Sequence, residues 1–166
     1  MKNYLQSFYV VRFSDCDPFR HLNNARYIDY FLNAREDHLR NHYQMDLADF
    51  YRKGLGWVVL QHEIKYLRPA AFNEKICIRS GLLSGQNDFL HVEMLMLDEH
   101  LQQLKAIMHT SFVPVNITTG RRQPHEASFM EFIADKIVLD NVQDIPTLQE
   151  RADYWQQQLR GQVVTG

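Results

Sequence analysis

Five polar residues that could take part in acyl-transfer chemistry lie within ten positions of the sequence: Asp15, Asp17, His21, Asn23 and Asn24. They directly precede a helix-like apolar pattern, and a helix N-terminus offers unpaired N–H donors and a positive dipole end. Such a terminus can hold an oxyanion while a nearby carboxylate attacks a carbonyl or deprotonates water. The simpler interpretation is that Asn23 or Asn24 only caps the helix and that the acids are solvated. Because a cap needs only one such residue, the cluster favours chemistry.

The elements that must position this cluster follow from the apolar pattern. From Asn24 to about Arg40 polar residues recur every three or four positions, which predicts a helix that is apolar around most of its circumference. Short turns at 85–87 and 98–102 indicate antiparallel hairpins. The segments with strand patterns are 8–13, 57–67, 75–83, 88–97 and 103–115. We therefore predict an α+β domain in which an antiparallel sheet wraps one long helix.

Two further predictions concern the strand at 57–67 and the end of the chain. Alternation assigns one face of that strand to Val58, Leu60, His62, Ile64 and Tyr66. Residues 126–138 have a helical pattern, and Pro146 opens a second helix. The apolar stripe of this second helix is Leu148, Ala152, Trp155 and Leu159. Because such a stripe must be covered, we expect Trp155 to be buried.

Composition excludes several classes of protein. The 166 residues fit a single domain, and a net charge of −2 provides no basic field for nucleic acid. Cys16 and Cys77 have neither zinc-site nor disulfide-scaffold spacing. No segment is apolar enough for a signal peptide or a membrane span. We predict a soluble, cytoplasmic protein without nucleic-acid or membrane partners.

Three motifs occur in an order that resembles a known family. They are DCDP (15–18) before HLNNARY (21–27), YLRPA (66–70) before NEKI (73–76), and FVPV (112–115) before TTGR (118–121). Together they resemble the hotdog-fold acyl-CoA thioesterases of the hydroxybenzoyl-CoA thioesterase family. The resemblance covers about residues 8 to 122 and implies a hotdog fold, with the sheet wrapped around the central helix. We therefore expect a hotdog domain over 1–122 and a C-terminal helical extension over 123–166 packed on it.

The resemblance also implies the chemistry. It suggests hydrolysis of an acyl thioester of CoA or acyl-carrier protein, without metal or organic cofactor, by a homodimer or homotetramer whose sheets join. Asp17 matches the nucleophile or general base, and His21, Asn23 and Asn24 match the catalytic apparatus at the helix start. The residue before the histidine is commonly Gly but is Arg20 here. A positive φ is costly for Arg, which is a reason for the loop to differ locally.

Other candidate residues have competing interpretations. Arg68, Arg121 and Arg122 could contact the phosphates of CoA or could be solvated loop charges. His62 is expected to be a satisfied core histidine. His38 and His42 have the spacing of a metal pair, but we expect them to lie at a solvated helix end. The acids that flank Cys16 should raise the pKa of its thiol. Met94, Met96 and Met108 are expected to be core residues, or residues of an acyl pocket.

A second function of a different class competes with the thioesterase. A hotdog module that only binds an acyl group or supports assembly could keep the fold without the chemistry. The presence of Asp17, His21 and both asparagines favours the enzyme. A hotdog dehydratase or hydratase is disfavoured, because the histidine-bearing motif of such enzymes does not stand here.

Overall fold

The computed structural model describes residues 3–139 and 144–163. One antiparallel sheet has the strand order β1-β3-β4-β5-β2. The strands are β1 (Leu5–Val10), β2 (Leu55–Tyr66), β3 (Lys75–Gln86), β4 (Phe89–Asp98) and β5 (Leu104–Asn116). The helices are α1 (Tyr27–Tyr43), α2 (Leu47–Arg52), α3 (Ala127–Ala134) and α4 (Leu148–Val163). The predicted α+β class, early helix and antiparallel meander are confirmed. No helix in the described residues is long and apolar enough to cross a membrane.

The helix α1 lies against the inner face of the sheet. The residues that it buries are spaced by four, three and four positions: Tyr27, Phe31, Ala34 and His38. They pack with alternate residues of β3, β4 and β5, and this core includes the fully buried Met94, Met96 and Met108. Gln44 caps the C-terminal end of the helix: its backbone is left-handed (φ 49°), and its N–H donates to the Leu39 carbonyl. The sheet therefore covers one face of α1 from Tyr27 to His38.

His38 is a buried core residue, so its predicted place in a solvated helix end is wrong. Its Nδ1 lies 2.7 Å from Ser80 Oγ, and its Nε2 lies 2.7 Å from Ser7 Oγ, because β1 and β3 cover this face of α1. Burial, with a smaller contribution from the charge of Arg35, lowers the pKa of His38 to about 4. His42 is exposed, as predicted. Within the ranges 3–139 and 144–163, no group of His, Cys, Asp and Glu side chains could hold a metal ion.

The first strand lies earlier in the chain than predicted. β1 spans Leu5–Val10, whereas the pattern predicts a strand at 8–13. The ladder with β3 loses its register at Val11: the Val11 N–H still donates to the Glu74 carbonyl (2.9 Å), but the Val11 carbonyl accepts from the Asn73 N–H (2.9 Å) instead of from Glu74. The residues Phe13–Asp15 then form a single 3-10 turn. The residues typical of a strand thus continue to Phe13, although the chain has already turned toward the start of α1.

A β-bulge in β2 changes which side chains face the core. The register with β5 shifts between Val59 and Gln61, so Leu60 is the extra residue. Val58 therefore lies on the opposite face from His62 and is 47% exposed. The single face predicted for Val58, Leu60, His62, Ile64 and Tyr66 is consequently wrong.

The helix α4 covers the outer face of the sheet. Its stripe packs on outward-facing residues of β3, β4 and β5, and the members of this second core are Cys77, Leu95, Leu97, Leu104, Ile107, Leu148, Ala152, Trp155 and Leu159. Trp155 is 1% exposed, which confirms its predicted burial. Each large apolar side chain buried in this way stabilises the fold by about 1.5–3 kcal/mol. The shorter helix α3 ends at Ala134 rather than near 138, and its Ile133 joins the inner core.

A buried carboxylate joins α4 to the sheet. Glu93 on β4 has no exposed surface, and Arg151 donates to its two oxygens from Nε and Nη2 at 2.8 Å each. Tyr4 Oη and Trp155 Nε1 also donate to Glu93 at 2.7 Å, and His109 Nε2 lies 2.9 Å from it. Burial alone would raise the pKa of Glu93, but the hydrogen bonds from Arg151 and His109 outweigh burial and hold the pKa below its usual value.

Replacing Arg151 should release α4. In Arg151→Met the buried Glu93 carboxylate loses its charged partner, so the free energy of unfolding should fall by about 3–5 kcal/mol. Urea unfolding followed by tryptophan fluorescence measures this change. The double variant Arg151→Met with Glu93→Gln should recover part of the loss. Arg160→Met, at an exposed position of the same helix, is the control and should change stability by less than about 0.5 kcal/mol. A similar small effect for Arg151→Met would contradict the role of the ion pair.

Candidate functional site

A small hairpin over residues 15–23 holds the polar cluster before α1. The Asp17 N–H donates to the His21 carbonyl (2.8 Å), and Cys16 pairs with Leu22 in an isolated antiparallel bridge. Side chains alternate between the two faces of such a pair. Leu22 is buried in the inner core with Cys16 packed against it, and Asp17 and His21 therefore lie on the opposite face. The hairpin brings these two predicted residues opposite each other, outside the core.

The Asp17 carboxylate shapes the loop with one of its oxygens. Asp17 Oδ1 accepts hydrogen bonds from the backbone N–H groups of Phe19 (2.9 Å) and His21 (3.1 Å). The described part of the chain offers no donor to the other oxygen, Oδ2. Asp17 is partly buried, and His21 is exposed. One oxygen is thus committed to local structure and the other is available for chemistry.

Arg20 adopts the left-handed backbone that usually requires glycine. The motif commonly has Gly at this position, so Arg20 was a reason to expect a different local loop. Arg20 nevertheless has φ 61°. A left-handed conformation costs an L-residue roughly 1–2 kcal/mol. Two hydrogen bonds fix it: the Arg20 N–H donates to the Asp17 carbonyl (3.0 Å), and the Phe72 N–H donates to the Arg20 carbonyl (2.8 Å). These two bonds therefore hold Arg20 in a strained backbone conformation.

The two asparagines have different roles at the start of α1. Asn23 Oδ1 accepts from the Ala25 N–H (3.0 Å), so Asn23 is the cap of a 3-10 turn that spans Asn24–Arg26 and leads into the helix. The carbonyl of Asn24 accepts from Tyr66 Oη (2.8 Å), but its N–H has no acceptor in residues 3–139 and 144–163. The simpler capping interpretation is correct for Asn23, and Asn24 presents a free N–H donor at the helix start.

The segment after β2 fastens the hairpin and the helix start together. The Leu22 N–H donates to the Ala70 carbonyl (2.8 Å), and the Ala70 N–H donates to Tyr27 Oη (3.2 Å). An ion pair of 2.7 Å between Lys105 Nζ and Glu74 Oε1 holds the same segment onto β5. The second motif recognised in the sequence therefore positions the first.

The three candidate phosphate-binding arginines do not lie together in one chain. Arg68 follows the C-terminal end of β2, close to the hairpin, whereas Arg121 and Arg122 follow β5. Because β5 runs antiparallel to β2, its end lies beside the start of β2. The 12 residues of β2 span roughly 40 Å. All three side chains are exposed, and only Arg68 is near Asp17.

The remaining candidates have structural roles. His62 Nδ1 lies 2.8 Å from Thr110 Oγ1, and burial lowers the pKa of His62, as expected for a satisfied core histidine. Burial raises the pKa of the Cys16 thiol, and the two flanking carboxylates raise it further, in the predicted direction. Asp15 accepts from Tyr30 Oη (2.7 Å) and so fastens the hairpin to α1.

Sequence reasoning missed an aromatic rim around the hairpin. Phe13 and Phe19 are 79% and 80% exposed, and Phe72 is 44% exposed. The rings of Phe13 and Phe72 meet edge to face with centroids 5.9 Å apart. Exposed aromatic groups of this kind mark contact surfaces. The available signal was their position in loops, where no periodicity assigns them to a core.

Known proteins resemble this chain in sequence and in fold. The sequence model of the thioesterase-like superfamily matches residues 11–137. The long-chain acyl-CoA thioesterase FadM of Escherichia coli (strain K12) is 28% identical over 129 residues, which cover 76% of this chain and 95% of that protein. The structure of the probable thioesterase YbaW from Escherichia coli has a TM-score of 0.68 at 25% identity, and the match covers 80% of this chain and 98% of that one.

A third protein shares the fold at lower identity. A Staphylococcus aureus protein solved in complex with CoA has a TM-score of 0.75 at 16% identity, over 88% of this chain and 91% of that one. The antiparallel sheet around α1 is the predicted hotdog fold.

Replacing Arg20 by glycine should relieve backbone strain. Because the unfolded chain also gains freedom, we expect Arg20→Gly to stabilise by about 0–1 kcal/mol. Thermal and urea unfolding measure this change. Gly120→Ala is the matched control and should lower the free energy of unfolding. Gly120 has φ 70°, and its added Cβ would meet no atom within 4 Å, so only backbone strain would change. Destabilisation of Arg20→Gly by more than about 1 kcal/mol would mean that the Arg20 side chain contributes more than its strain costs.

Proposed function

This chain belongs to the thioesterase-like superfamily and is a thioester hydrolase, and we propose that it hydrolyses acyl-CoA with Asp17 as the reactive carboxylate. One observation carries this proposal: within the described residues, Asp17 Oδ2 has no donor and the Asn24 N–H has no acceptor, and both belong to the short segment that leads from the hairpin into α1. The acyl-CoA activity named for the FadM relative supports the choice of substrate. A cytoplasmic location stays a prediction.

The helix start would polarise the thioester carbonyl. Negative charge develops on that oxygen as the carbon becomes tetrahedral, and a backbone N–H at a helix N-terminus stabilises it. The Asn24 N–H is the donor we assign to this task. Asn23 acts indirectly, because its cap on Ala25 fixes the first turn. His21 is placed opposite Asp17, where it can orient the carboxylate or an attacking water.

Asp17 can serve in either of two routes. As a general base, Oδ2 takes a proton from water while the water oxygen bonds to the acyl carbon; the carbon–sulfur bond then breaks and the CoA thiolate takes up a proton. As a nucleophile, Oδ2 bonds to the acyl carbon, expels the thiolate and forms a mixed anhydride that water hydrolyses. Both routes release the acid and CoA and leave the carboxylate unchanged.

Asp17→Asn should separate chemistry from loop structure. The asparagine Oδ1 can still accept from Phe19 and His21, so the hairpin should keep its shape while the charge is lost. Single-turnover thioester cleavage should fall at least a hundredfold to a thousandfold (roughly 2.7–4 kcal/mol), and acyl-CoA binding should persist. His21→Ala should cost less if His21 only orients water. Full activity in Asp17→Asn would end this mechanism.

A neighbouring carboxylate provides the control. Asp15→Asn removes a charge from the same hairpin but leaves Asp17 intact, so it should change stability more than turnover. Heavy-oxygen water in a single turnover identifies the nucleophile route when the label enters Asp17, because water has then attacked the anhydride at the Asp17 carboxylate carbon. Label in the product acid alone is the outcome of general-base catalysis and also of an anhydride opened at the acyl carbon, and trapping the acyl-enzyme with hydroxylamine separates these two cases. Binding of acyl-CoA by the wild type without any turnover would favour the non-catalytic acyl-binding module.

We further propose that the chain assembles as a homodimer through β2, or as a pair of such dimers. β2 is an edge strand with a run of exposed apolar residues, Val58, Val59 and Leu60 at 47%, 41% and 56%. A long apolar edge invites another strand. Antiparallel pairing of two β2 strands would bring the Arg121–Arg122 end of one chain beside the Asp17 end of the other. All three candidate arginines could then face the phosphates of one CoA.

The two-part organisation of the chain is also a proposal. We infer that residues 1–122 carry the chemistry and that 123–166 form an extension that stabilises their sheet. The burial of Leu148, Trp155 and Leu159 in the second core supports this division.

Leu60→Lys should disrupt the dimer. A charge in the middle of the paired edge would be desolvated without a partner, so multi-angle light scattering should give a monomer, and thioesterase activity should be lost with it. Val10→Lys is the matched control at the other sheet edge, where Val10 is 42% exposed, and it should leave the dimer intact. A wild-type monomer at micromolar concentration, or a dimer broken only by Val10→Lys, would contradict assembly through β2.

A further inference from the structure

An apolar cavity of about 260 Å³ lies away from the Asp17 hairpin. It is partly open to solvent and is bordered by α1 from Leu32 onward, by α2 and α3, and by the inner face of the sheet. Its walls include Leu39, Tyr43, Trp57, Val92, Phe112 and Ile133. The hairpin adjoins the N-terminal end of α1, so roughly 8–24 Å of helix separates it from the α1 residues that line this cavity in one chain.

One cation, Arg35, contributes to the wall of this cavity without an acidic partner. It is partly buried, and Ser80 Oγ accepts one hydrogen bond from its Nη1 (3.1 Å). No carboxylate lies within ion-pair distance of Arg35 in residues 3–139 and 144–163. Burial lowers the pKa of Arg35 to about 10, so the guanidinium is still charged at neutral pH. A buried charge without a counter-ion is costly, and an anion would relieve that cost.

A hydrogen-bonded chain fixes the Arg35 head group. Ser80 Oγ also bonds His38 Nδ1 (2.7 Å), and His38 Nε2 bonds Ser7 Oγ (2.7 Å). Ser7 in turn lies 3.0 Å from Tyr9 Oη, which donates to the Asp37 carboxylate (2.8 Å). This chain crosses the core beneath α1, so Arg35 is held by buried partners. Its position was detectable from spacing, because it follows the sheet-facing Phe31 by four residues.

Two other charged side chains line the cavity, and each already has a partner. Lys136 Nζ donates to the Phe132 carbonyl (2.6 Å) and to Asp135 Oδ1 (2.8 Å). Glu36 is paired with Arg40 Nη2 at 2.7 Å. Arg35 is therefore the charge that a ligand in this cavity can satisfy.

We propose that this cavity binds a free fatty acid, with its carboxylate on the Arg35 guanidinium and its alkyl chain against the apolar wall. Arg offers forked donors that match the two oxygens of a carboxylate. The mainly aliphatic and aromatic lining suits an alkyl chain rather than a sugar or nucleotide. The source of the ligand rests on the proposed function, since thioester hydrolysis releases a fatty acid; the binding itself does not.

The test compares an acid with its uncharged analogue. Isothermal titration of the full chain with decanoate and with decanol separates the carboxylate contribution from that of the chain. In Arg35→Met the affinity for decanoate should fall about tenfold to a hundredfold, and the affinity for decanol should change by less than about threefold. Arg35→Lys should retain part of the decanoate affinity. Lys136→Met is the matched control in the same cavity and should bind both ligands as the wild type does.

The possible outcomes separate this proposal from the catalytic one. Asp17→Asn should bind decanoate normally whether or not the catalytic proposal holds, because binding requires no turnover. Decanol binding reports that Arg35→Met is folded. Equal affinity of the wild type for acid and alcohol, loss of decanoate affinity in Lys136→Met but not in Arg35→Met, or no binding of either ligand would each overturn the fatty-acid site.

Discussion

Burial of both faces of the three central strands is the constraint on which the rest of the structure depends. Almost every residue of β3, β4 and β5 between their ends is buried. A sheet of this kind needs a cover on each side, and α1 and α4 provide one each. Every polar side chain inside these layers must then find a partner there. The His38 network meets this demand on the inner face, and Glu93 with Arg151 meets most of it on the outer face. Within the described residues, His91 Nε2 on β4 is the buried side-chain atom that has no hydrogen-bond partner.

Part of this arrangement was predictable because it follows from periodicity. The central helix, the three strands after residue 75 and the stripe of α4 have patterns that persist for many residues. The features that were missed depend on single residues. Leu60 creates a bulge that reverses the faces of β2, and β1 ends where the Val11 carbonyl accepts from Asn73, out of register with β3. His38 was misread because a short pattern does not reveal that β1 will cover that side of α1.

The residue types of the candidate site were predictable from the sequence, but the separate role of each residue was not. The clustering of Asp17, His21, Asn23 and Asn24 is a sequence property, and the hairpin that opposes Asp17 and His21 agrees with it. Sequence alone does not separate the capping role of Asn23 from the free N–H of Asn24, because both residue types cap helices well. The cavity charge at Arg35 was not recognised either, since a lone arginine on an amphipathic helix usually faces water.

The Glu93 cluster also links parts of the chain that are far apart in sequence. Tyr4 precedes the first strand, Glu93 lies on β4, and Arg151 lies on α4, yet all three side chains are within one hydrogen-bond network. Contacts between such distant positions close large loops and form slowly relative to local hairpins. The β3–β4–β5 meander can assemble from neighbouring segments, whereas the outer face is completed only after α4 has been synthesised. Until then the Glu93 carboxylate lacks the donors that Arg151 and Trp155 supply, and Tyr4 lacks its contacts with the same two residues.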